Sequence, residues 1–284
     1  MTAPSRPALR YHGAKWLLAS WIIMHFPAHE CYCESYGGSA AVMLKKDRSM
    51  LEVYNDLDGE VVNFFRVLRE QPDELIRLIN LTPWAKAEWE LSFEASGEPL
   101  EDARRFYARS YMSIAGPTAQ WNPGWRRQKV ISRGVRGDKK MTPGPISFAN
   151  TDHLYQVAER LRGVQIECDD ALTIMKRYDS PVTLHYVDPV YVAETRGRWS
   201  GHAYAHEMDD ADHRQLAAVL HGLSGMVVLS GYRCAMYDEL FVDWKRIDKR
   251  ARINGPGDAL ESLWLSPLTQ ERLLHKDLPI FRRR

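Results

Sequence analysis

The four residues Asp188-Pro-Val-Tyr191 follow an apolar stretch and combine groups that can hold a planar amine. The Asp188 carboxylate and the Pro189 carbonyl oxygen can each accept a hydrogen bond from an exocyclic amino group. The Tyr191 ring offers a flat face on which an extruded nucleobase can stack. These acceptors would stabilise the positive charge that develops when the amine attacks a methyl group. Asp and Pro are also common turn residues, so a purely structural role stays open.

A second candidate site begins with Glu34-Ser-Tyr-Gly-Gly-Ser39, which follows a short strand-like segment. Gly37 and Gly38 allow the chain to turn sharply and a ligand to approach the backbone closely. Asp56 follows about 20 residues later, at the end of the next strand-like segment, where an acid can reach the ribose of a nucleotide-like cofactor. A full G-x-G-x-x-G pattern is missing, which argues against NAD and leaves an adenosyl ligand open. Asp56 or Asp58 could instead cap the next helix, one acid for each role.

Asp170 closes another strand-like segment, at residues 164–168. A carboxylate at that position can accept a hydrogen bond from the amino group of an adenine ring. The alternative is that Asp170 caps the helix that follows.

These candidate residues lie at the ends of strands in an alternating α/β pattern. The strand-like segments are 31–36, 50–54, 164–167, 183–187 and 226–230. The helix-like segments are 16–26, 58–70, 152–162 and 210–223, and Pro72 and Pro99 begin further helical stretches up to residue 115. The alternation predicts a doubly wound, mainly parallel sheet.

Residues 60–150 interrupt the alternation and predict a mostly helical insertion into a catalytic domain built from residues 1–59 and 151–284. The second half of the insertion carries a basic cluster that is suited to contact with DNA phosphates. The cluster consists of Arg126, Arg127, Lys129, Arg133, Arg136, Lys139 and Lys140. A solvated loop would show the same composition. Arg104, Arg105 and Arg109, on a predicted helix, are candidates for further contacts with the DNA backbone.

Composition excludes several classes of protein. The chain has 284 residues, 45% hydrophobic residues and a formal net charge of +1, as expected for a globular protein with one large core. Its four cysteines do not form a disulfide framework, and no metal site is expected. The apolar stretch at 16–26 is too short to span a bilayer, so we expect a cytoplasmic protein without a membrane partner.

Together and in this order, the motifs resemble those of the Dam-like class of adenine-specific DNA methyltransferases, particularly those of phages and prophages. Arg10-Tyr-His-Gly-Ala-Lys15 is similar to the N-terminal F/Y-x-G-G-K motif, and Glu34-Ser-Tyr-Gly-Gly-Ser39 to E-P-F-x-G-G. Asn55-Asp56 is similar to the N-D ribose motif, and Asp188-Pro-Val-Tyr191 to D-P-P-Y. Ser230-Gly-Tyr232 and Glu261-Ser-Leu-Trp-Leu-Ser-Pro267 resemble later strand segments of the class.

The resemblance implies a Rossmann-like sheet of the seven-stranded methyltransferase type, with the insertion as the domain that recognises the target DNA. It implies transfer of a methyl group from S-adenosylmethionine to the N6 amine of a flipped adenine in double-stranded DNA. The implied catalytic residues are Asp188, Pro189, Val190 and Tyr191. The implied cofactor-binding residues are Tyr11, Gly13, Lys15, Glu34, Tyr36, Gly37, Gly38, Ser39, Asp56 and Asp170. We expect a monomer or weak dimer in the cytoplasm of a bacterium or of a phage-infected host.

Three residues depart from the pattern of the class: Ala14 and Ser35 replace a glycine and a proline, and Val190 replaces the second proline of D-P-P-Y. Valine restores an amide donor and relaxes the turn that a proline would restrain. We therefore hypothesise that Val190 leaves the contacts to base and cofactor intact but slows methyl transfer. Two alternatives follow: a methyltransferase fold that binds DNA without catalysis, and a methyltransferase that acts on RNA or protein.

Overall fold

The computed structural model describes residues 4–114, 116–118, 123–127, 143–196, 204–252 and 258–275. At residues 251, 252, 258 and 259 it describes the backbone alone. The strands are β1 (Cys31–Glu34), β2 (Leu51–Asn55), β3 (Gln165–Glu167), β4 (Thr183–Val187), β5 (Met226–Tyr232), β6 (Lys245–Arg252) and β7 (Asp258–Leu265).

Within the described residues, the strands form one sheet in the order β3-β2-β1-β4-β5-β7-β6. Strands β1 to β5 are parallel, and β7 runs antiparallel between β5 and β6. This confirms the prediction of a mixed α/β fold with a mostly parallel sheet, and seven strands are consistent with the expected Rossmann-like type. The order of the strands reverses between β1 and β4, and ligands of such sheets bind at this point, outside the carboxyl ends of the strands.

Twelve α-helices lie in the described part of the chain. They are α1 (Ala19–Ile23), α2 (Ala41–Lys45), α3 (Gly59–Glu70), α4 (Pro72–Leu81), α5 (Lys86–Leu91), α6 (Pro99–Met112), α7 (Gly144–Ala149), α8 (His153–Leu161), α9 (Ala171–Arg177), α10 (Asp210–Gly222), α11 (Ala235–Leu240) and α12 (Pro267–Leu274). A single 3-10 turn follows β4 at Ala193–Thr195.

Local sequence explains where several helices begin. The Asp58 side chain accepts a hydrogen bond from the amide of Glu60 and so caps α3. Helices α4 and α6 begin at Pro72 and Pro99, as predicted, because proline lacks the amide hydrogen that a first helical turn leaves unbonded. Helix α10 begins with a capping box between Asp209 and Asp212.

The described residues form two compact units. The sheet unit lies within Lys15–Leu57, Gly163–Gly201 and His206–Arg284, and the helical unit within Met1–Ala14, Asp58–Arg162 and His202–Ala205. In the helical unit, α3 packs on α6 and α8 through buried aromatic side chains such as Phe64 and Phe106. A role for the helical unit in recognising the target remains a prediction.

Some elements differ from the prediction. The helix predicted over 16–26 is regular only at Ala19–Ile23, and the residues before it form turns. Strand β6 was missed because its sequence, Lys-Arg-Ile-Asp-Lys-Arg-Ala-Arg, has the charge density of a loop. A strand with this composition is stable at the edge of the sheet, where charged side chains reach water and protect the free edge from further pairing.

Candidate active site

The glycine turn (residues 35–39) and the DPVY segment (residues 188–191) follow neighbouring parallel strands of the sheet unit. The two segments continue from β1 and β4, in which Glu34 and Tyr186 are Cα partners. Because the carboxyl ends of parallel strands share one edge of a sheet, both segments lie at the same edge, at the point where the strand order reverses.

The glycine turn is tightly bonded to the end of β2. The amide of Gly37 donates to the carbonyl oxygen of Asn55 at 2.7 Å, and the Tyr54 hydroxyl donates to the carbonyl oxygen of Gly38 at 2.7 Å. The amide of Gly38, whose φ is +46°, donates to Oδ2 of Asp56 at 2.7 Å. Asp56 thus fixes the turn, and Asp58 caps the next helix, as considered from the sequence; contact of Asp56 with a ribose stays a prediction.

Asn55 has a structural role that the sequence did not reveal. Its fully buried side chain donates to the carbonyl oxygens of Ser35 and Asp169, at 2.9 and 3.0 Å, and accepts from the amide of Asp169 at 3.0 Å. Each such bond stabilises the fold by about 1 kcal/mol. Asn55, the last residue of β2, therefore connects the segments that follow β1 and β3 through hydrogen bonds.

Glu34 is buried beneath the turn. Its Oε2 accepts hydrogen bonds from the Tyr32 hydroxyl at 2.7 Å and from the amide of Met43, in the first turn of α2, at 2.9 Å. Burial raises the pKa of Glu34 to about 8, although both hydrogen bonds oppose this shift. In the described contacts, Glu34 therefore stabilises the glycine turn and α2 through these buried hydrogen bonds.

Tyr36, Asp56 and Asp170 occupy one region around the turn. The carboxylates of Asp170, Asp212 and Asp56 lie near the Tyr36 hydroxyl and, together with burial, raise the pKa of Tyr36. Asp170 caps α9 through Oδ1, which accepts from the amide of Thr173 at 2.9 Å. The helix cap considered from the sequence is therefore present, and within the described residues it leaves Oδ2 of Asp170 unbonded.

Asp188 forms a largely buried ion pair with Lys15. The Nζ atom of Lys15 lies 2.9 Å from Oδ2 of Asp188, and the two side chains are 9% and 16% exposed. The other carboxylate oxygen, Oδ1, is shielded from solvent and has no hydrogen-bond partner within the described residues. Burial raises the pKa of Asp188, and the nearby ammonium of Lys15 opposes the shift. Of the two Asp188 oxygens, Oδ2 thus pairs with Lys15, and Oδ1 is available to accept a hydrogen bond.

Tyr191 is held at its ring and at its hydroxyl. The ammonium of Lys15 lies 4.7 Å from the ring centroid, and the Tyr232 ring packs edge-on at 4.7 Å. The hydroxyl donates a short hydrogen bond to Oε1 of Glu261, on β7. Glu261 was not among the predicted site residues because it lies 70 positions away in the sequence and no local motif links it to Tyr191.

Two of the predicted cofactor residues, Tyr11 and Gly13, belong to the helical unit. Gly13 has a φ of +71°, and a β-carbon there would lie 2.4 Å from the Tyr204 hydroxyl oxygen. His12 also packs edge-on against the Tyr204 ring. In the described structure, Gly13 is thus required for the contact of this segment with Tyr204.

Two residues of the predicted basic cluster, Arg126 and Arg127, are described, and both lie in the helical unit. The other five, Lys129, Arg133, Arg136, Lys139 and Lys140, lie outside the described residues. Arg126 reaches the carbonyl oxygen of Tyr111 at 3.5 Å, and Arg10 reaches that of Ser113 at 3.3 Å, both near the end of α6. Neither guanidinium forms an ion pair within the described residues. Burial and the nearby Arg126 lower the pKa of Arg10.

The other arginines proposed for DNA contact have acidic partners within the helical unit. Arg104 forms ion pairs with Glu88 and Glu101, at 2.8 and 2.6 Å. Arg109 forms an ion pair with Glu60 and is 5% exposed. Arg105 also pairs with Glu101, at 2.8 Å. Because all three guanidinium groups have acidic partners, these ion pairs do not favour the expected contact with the DNA backbone, which stays a prediction.

In the described part of the chain, no helix has the length and apolar character needed to cross a bilayer. Nor do three or more His, Cys, Asp or Glu side chains come together there as they would to hold a metal ion.

Residues 11–254 match the model of the D12 class N6 adenine-specific DNA methyltransferase family. The chain is also 21% identical over 222 residues to a DNA adenine methylase of Serratia marcescens, an alignment that covers 78% of this chain and 79% of that protein. The family match includes Lys15, the glycine turn and the DPVY segment, and it ends before Glu261.

Proposed function

The chain belongs to the D12 class of N6 adenine-specific DNA methyltransferases, and from this premise we propose how its residues carry out the reaction. The protein methylates the N6 amine of adenine in DNA. As a member of this family it is expected to use S-adenosylmethionine, which supplies an electrophilic methyl group on a sulfonium. The further proposals concern the residues that bind cofactor and base, the flipping of the base out of duplex DNA, and the function of the helical unit.

The edge of the sheet unit around the glycine turn fits an adenosyl cofactor. Gly37 lies so close to Tyr54 and Asn55 that a side chain could not be added without moving the turn. Glycine at this position therefore lets the turn pack directly on the end of β2. We assign Asp56 to the ribose hydroxyls and Oδ2 of Asp170 to the adenine amine of the cofactor. Tyr36 and Ser39 line the same turn, and Glu34 and Asn55 keep it in place.

The available acceptor Oδ1 of Asp188 carries the catalytic proposal. A buried carboxylate oxygen without a donor is costly, so its presence favours a ligand that donates a hydrogen bond there. The N6 amine of adenine is such a donor, and the Pro189 carbonyl oxygen can accept its second hydrogen. With both hydrogens held, the nitrogen lone pair would be released from the ring to form a bond to the methyl carbon as the carbon–sulfur bond breaks, so that S-adenosylhomocysteine would leave. The acceptors would stabilise the positive charge on the nitrogen, and its extra proton would pass to Oδ1 of Asp188.

Lys15 contributes an ion pair to this site, and Tyr191 contributes an aromatic ring. The ion pair of Lys15 with Oδ2 opposes the rise in the pKa of Asp188 that burial causes. Because the Lys15 ammonium covers one face of the Tyr191 ring, we expect the flipped adenine to stack on the other face. The DPVY segment therefore determines both the position of the base and the direction in which its amine points.

We propose that the helical unit contacts the target DNA, with Arg126 and Arg10 bound to phosphates. Both guanidinium groups lie near the end of α6 without acidic partners among the described residues, so a phosphate would supply the missing counter-charge. The basic residues at 129–140 would extend this contact. We further propose that the protein acts in the cytoplasm as a monomer or weak dimer.

The test is transfer of tritium from labelled S-adenosylmethionine to unmethylated duplex DNA, followed by mapping of N6-methyladenine. We expect sequence-specific methylation by the wild type and a 10²- to 10³-fold lower rate for Asp188→Asn, the scale expected when one preorganised group is lost from a catalytic site. The matched control is Asp248→Asn, on the edge strand β6, which should retain full activity. Binding of DNA without transfer, or transfer to RNA or protein instead of DNA, would favour one of the alternative functions.

A further inference from the structure

The carboxylate of Glu261 lies in the active site, although it was not among the predicted site residues and lies beyond the end of the family match. Glu261 is on β7, is 3% exposed, and pairs with Tyr232 of β5 in the antiparallel register. Its Oε1 accepts the hydrogen bond from the Tyr191 hydroxyl, and the Tyr232 ring packs against the Tyr191 ring. Side chains of the two strands β5 and β7 therefore hold the aromatic residue of the DPVY segment.

Glu261 also shares the ammonium group of Lys15 with Asp188. Nζ of Lys15 lies 3.8 Å from Oε1 of Glu261 and 2.9 Å from Oδ2 of Asp188. A single positive charge thus serves two buried carboxylates. The geometry means that a change at Glu261 would act on Asp188 without touching the substrate.

We propose that Glu261 is a positioning residue for methyl transfer, because it anchors the Tyr191 hydroxyl and shares Lys15 with Asp188. The inference rests on the proposed function of the DPVY segment and deepens it. Glu261 itself contacts neither base nor methyl donor in this proposal. Its effect is to hold the stacking ring in one orientation and to adjust the charge on the carboxylate that receives the amine.

The charge of Glu261 affects the pKa of Asp188 in one direction. The titratable and charged groups around Glu261 are Lys15, Tyr186, Asp188, Tyr191, Tyr232 and, opposite it on β6, Lys249. Burial raises the pKa of both Glu261 and Asp188, and each carboxylate also disfavours the charge on the other. Where Glu261 is ionised, its charge competes for Lys15 and disfavours the charge on Asp188, so we expect its removal to lower the pKa of Asp188.

Two variants distinguish the effect of the charge of Glu261 from that of its hydrogen bond to Tyr191. Glu261→Gln keeps an oxygen that can accept the Tyr191 hydroxyl but removes the charge. We expect a kcat within about tenfold of the wild type and an acid limb of the kcat profile that moves to lower pH by roughly half a unit. Glu261→Leu removes the acceptor as well, and we expect kcat to fall about 10- to 100-fold while the affinity for S-adenosylmethionine is retained.

The contact itself is tested by a double-mutant cycle with Tyr191→Phe. Because Glu261→Leu and Tyr191→Phe break the same hydrogen bond, their effects on kcat should be less than multiplicative, and the double variant should lie close to Glu261→Leu alone. The matched control is Ser262→Ala, the neighbouring residue on β7, which removes a hydrogen bond to Asp248 and should leave the pH profile unchanged. Calorimetric titration with S-adenosylmethionine checks that each variant is folded.

The outcomes distinguish this inference from the proposed function. If the wild type methylates DNA while Glu261→Leu keeps full kcat, or if Glu261→Gln leaves the pH profile unmoved, the role of Glu261 is refuted and the proposed function stands. If the wild type transfers no methyl group, the proposed function fails first. The double-mutant cycle then uses the equilibrium constants of unfolding of the wild type and the variants. If the effects of the two single changes multiply to that of the double change within about twofold, the contact is refuted. A deviation of about fivefold would support it.

Discussion

Gly37 packs directly against the ring of Tyr54: a β-carbon built at position 37 would lie 2.2 Å from Cε2 of that ring and 2.8 Å from the carbonyl oxygen of Asn55. The ring is held by the hydrogen bond of its hydroxyl to Gly38, so it cannot move away without breaking that bond. A side chain at position 37 must therefore displace the glycine turn itself.

Gly37→Ala is accordingly expected to reduce cofactor binding and stability together. We expect at least about tenfold weaker binding of S-adenosylmethionine and a loss of about 1–3 kcal/mol in the free energy of unfolding, as for other changes that overfill a packed interior. Calorimetry and denaturant unfolding measure the two effects. The control is Gly222→Ala, at the end of α10, where the added carbon would meet no atom within 4 Å. Unchanged cofactor affinity in Gly37→Ala would contradict the assigned role of the turn.

Glu34 predicts a dependence of stability on pH. Its pKa is raised from 4.5 to about 8 by burial, so the folded state binds a proton that the unfolded state releases within this window. The stabilisation is complete below pH 4.5 and is lost as the pH rises toward 8, by up to about 1.4 kcal/mol per pH unit. The free energy of unfolding of the wild type should therefore decrease with rising pH relative to that of Glu34→Gln.

The measurement is denaturant unfolding of both proteins between pH 5 and pH 8, compared as a difference. Other buried carboxylates, such as Asp188 and Glu261, are present in both proteins, so their effects largely cancel. The control is Glu271→Gln, an exposed position on α12, whose difference from the wild type should stay constant over the same range. Parallel curves for the wild type and Glu34→Gln would show that Glu34 ionises freely and would contradict the prediction.

The salt dependence of DNA binding tests the two arginines at the end of α6. If Arg10 and Arg126 each neutralise one phosphate, Arg10→Gln and Arg126→Gln should each reduce the slope of log Kd against log salt by about 0.9. Binding at low salt should weaken several-fold, equally for target and unrelated duplexes, because phosphate contacts carry no sequence information. Fluorescence anisotropy with labelled duplex DNA measures both effects.

The control for this series is Arg77→Gln, an exposed arginine on α4 of the same helical unit. It should leave the salt slope unchanged, since general loss of one positive charge has little effect beyond the Debye length. A slope that changes equally in all three variants would mean that net charge alone is responsible and that no phosphate site exists near α6.

Local patterns in the sequence predicted much of the fold but little of the side-chain network. The bounds of β4 agreed with the prediction to the residue, and the first turns at Pro72 and Pro99 were also predicted, because capping and periodicity depend on neighbouring residues. The bonds of Asn55 to Asp169 and of Glu261 to Tyr191 span 114 and 70 residues. No local signal encodes such pairs, since they exist only once the strands are ordered side by side in the sheet.

Replacing Val190 with proline is expected to make methyl transfer faster than in the wild type. Within the described residues its amide donates no hydrogen bond, so a proline at this position would sacrifice none. Proline would also restrain the backbone between the Pro189 carbonyl oxygen and Tyr191. We expect Val190→Pro to raise the single-turnover rate of methyl transfer several-fold, up to about tenfold, through better positioning of the amine.

The control for this prediction is Val190→Ala, which removes the β-branched side chain but keeps the flexible backbone and the amide hydrogen. It should not increase the rate, and neither variant should alter the affinity for DNA or for S-adenosylmethionine. Rapid quench with excess enzyme isolates the chemical step from product release. If Val190→Pro is no faster than the wild type, the valine does not limit methyl transfer, and the DPVY segment of this protein is already as well ordered as a second proline could make it.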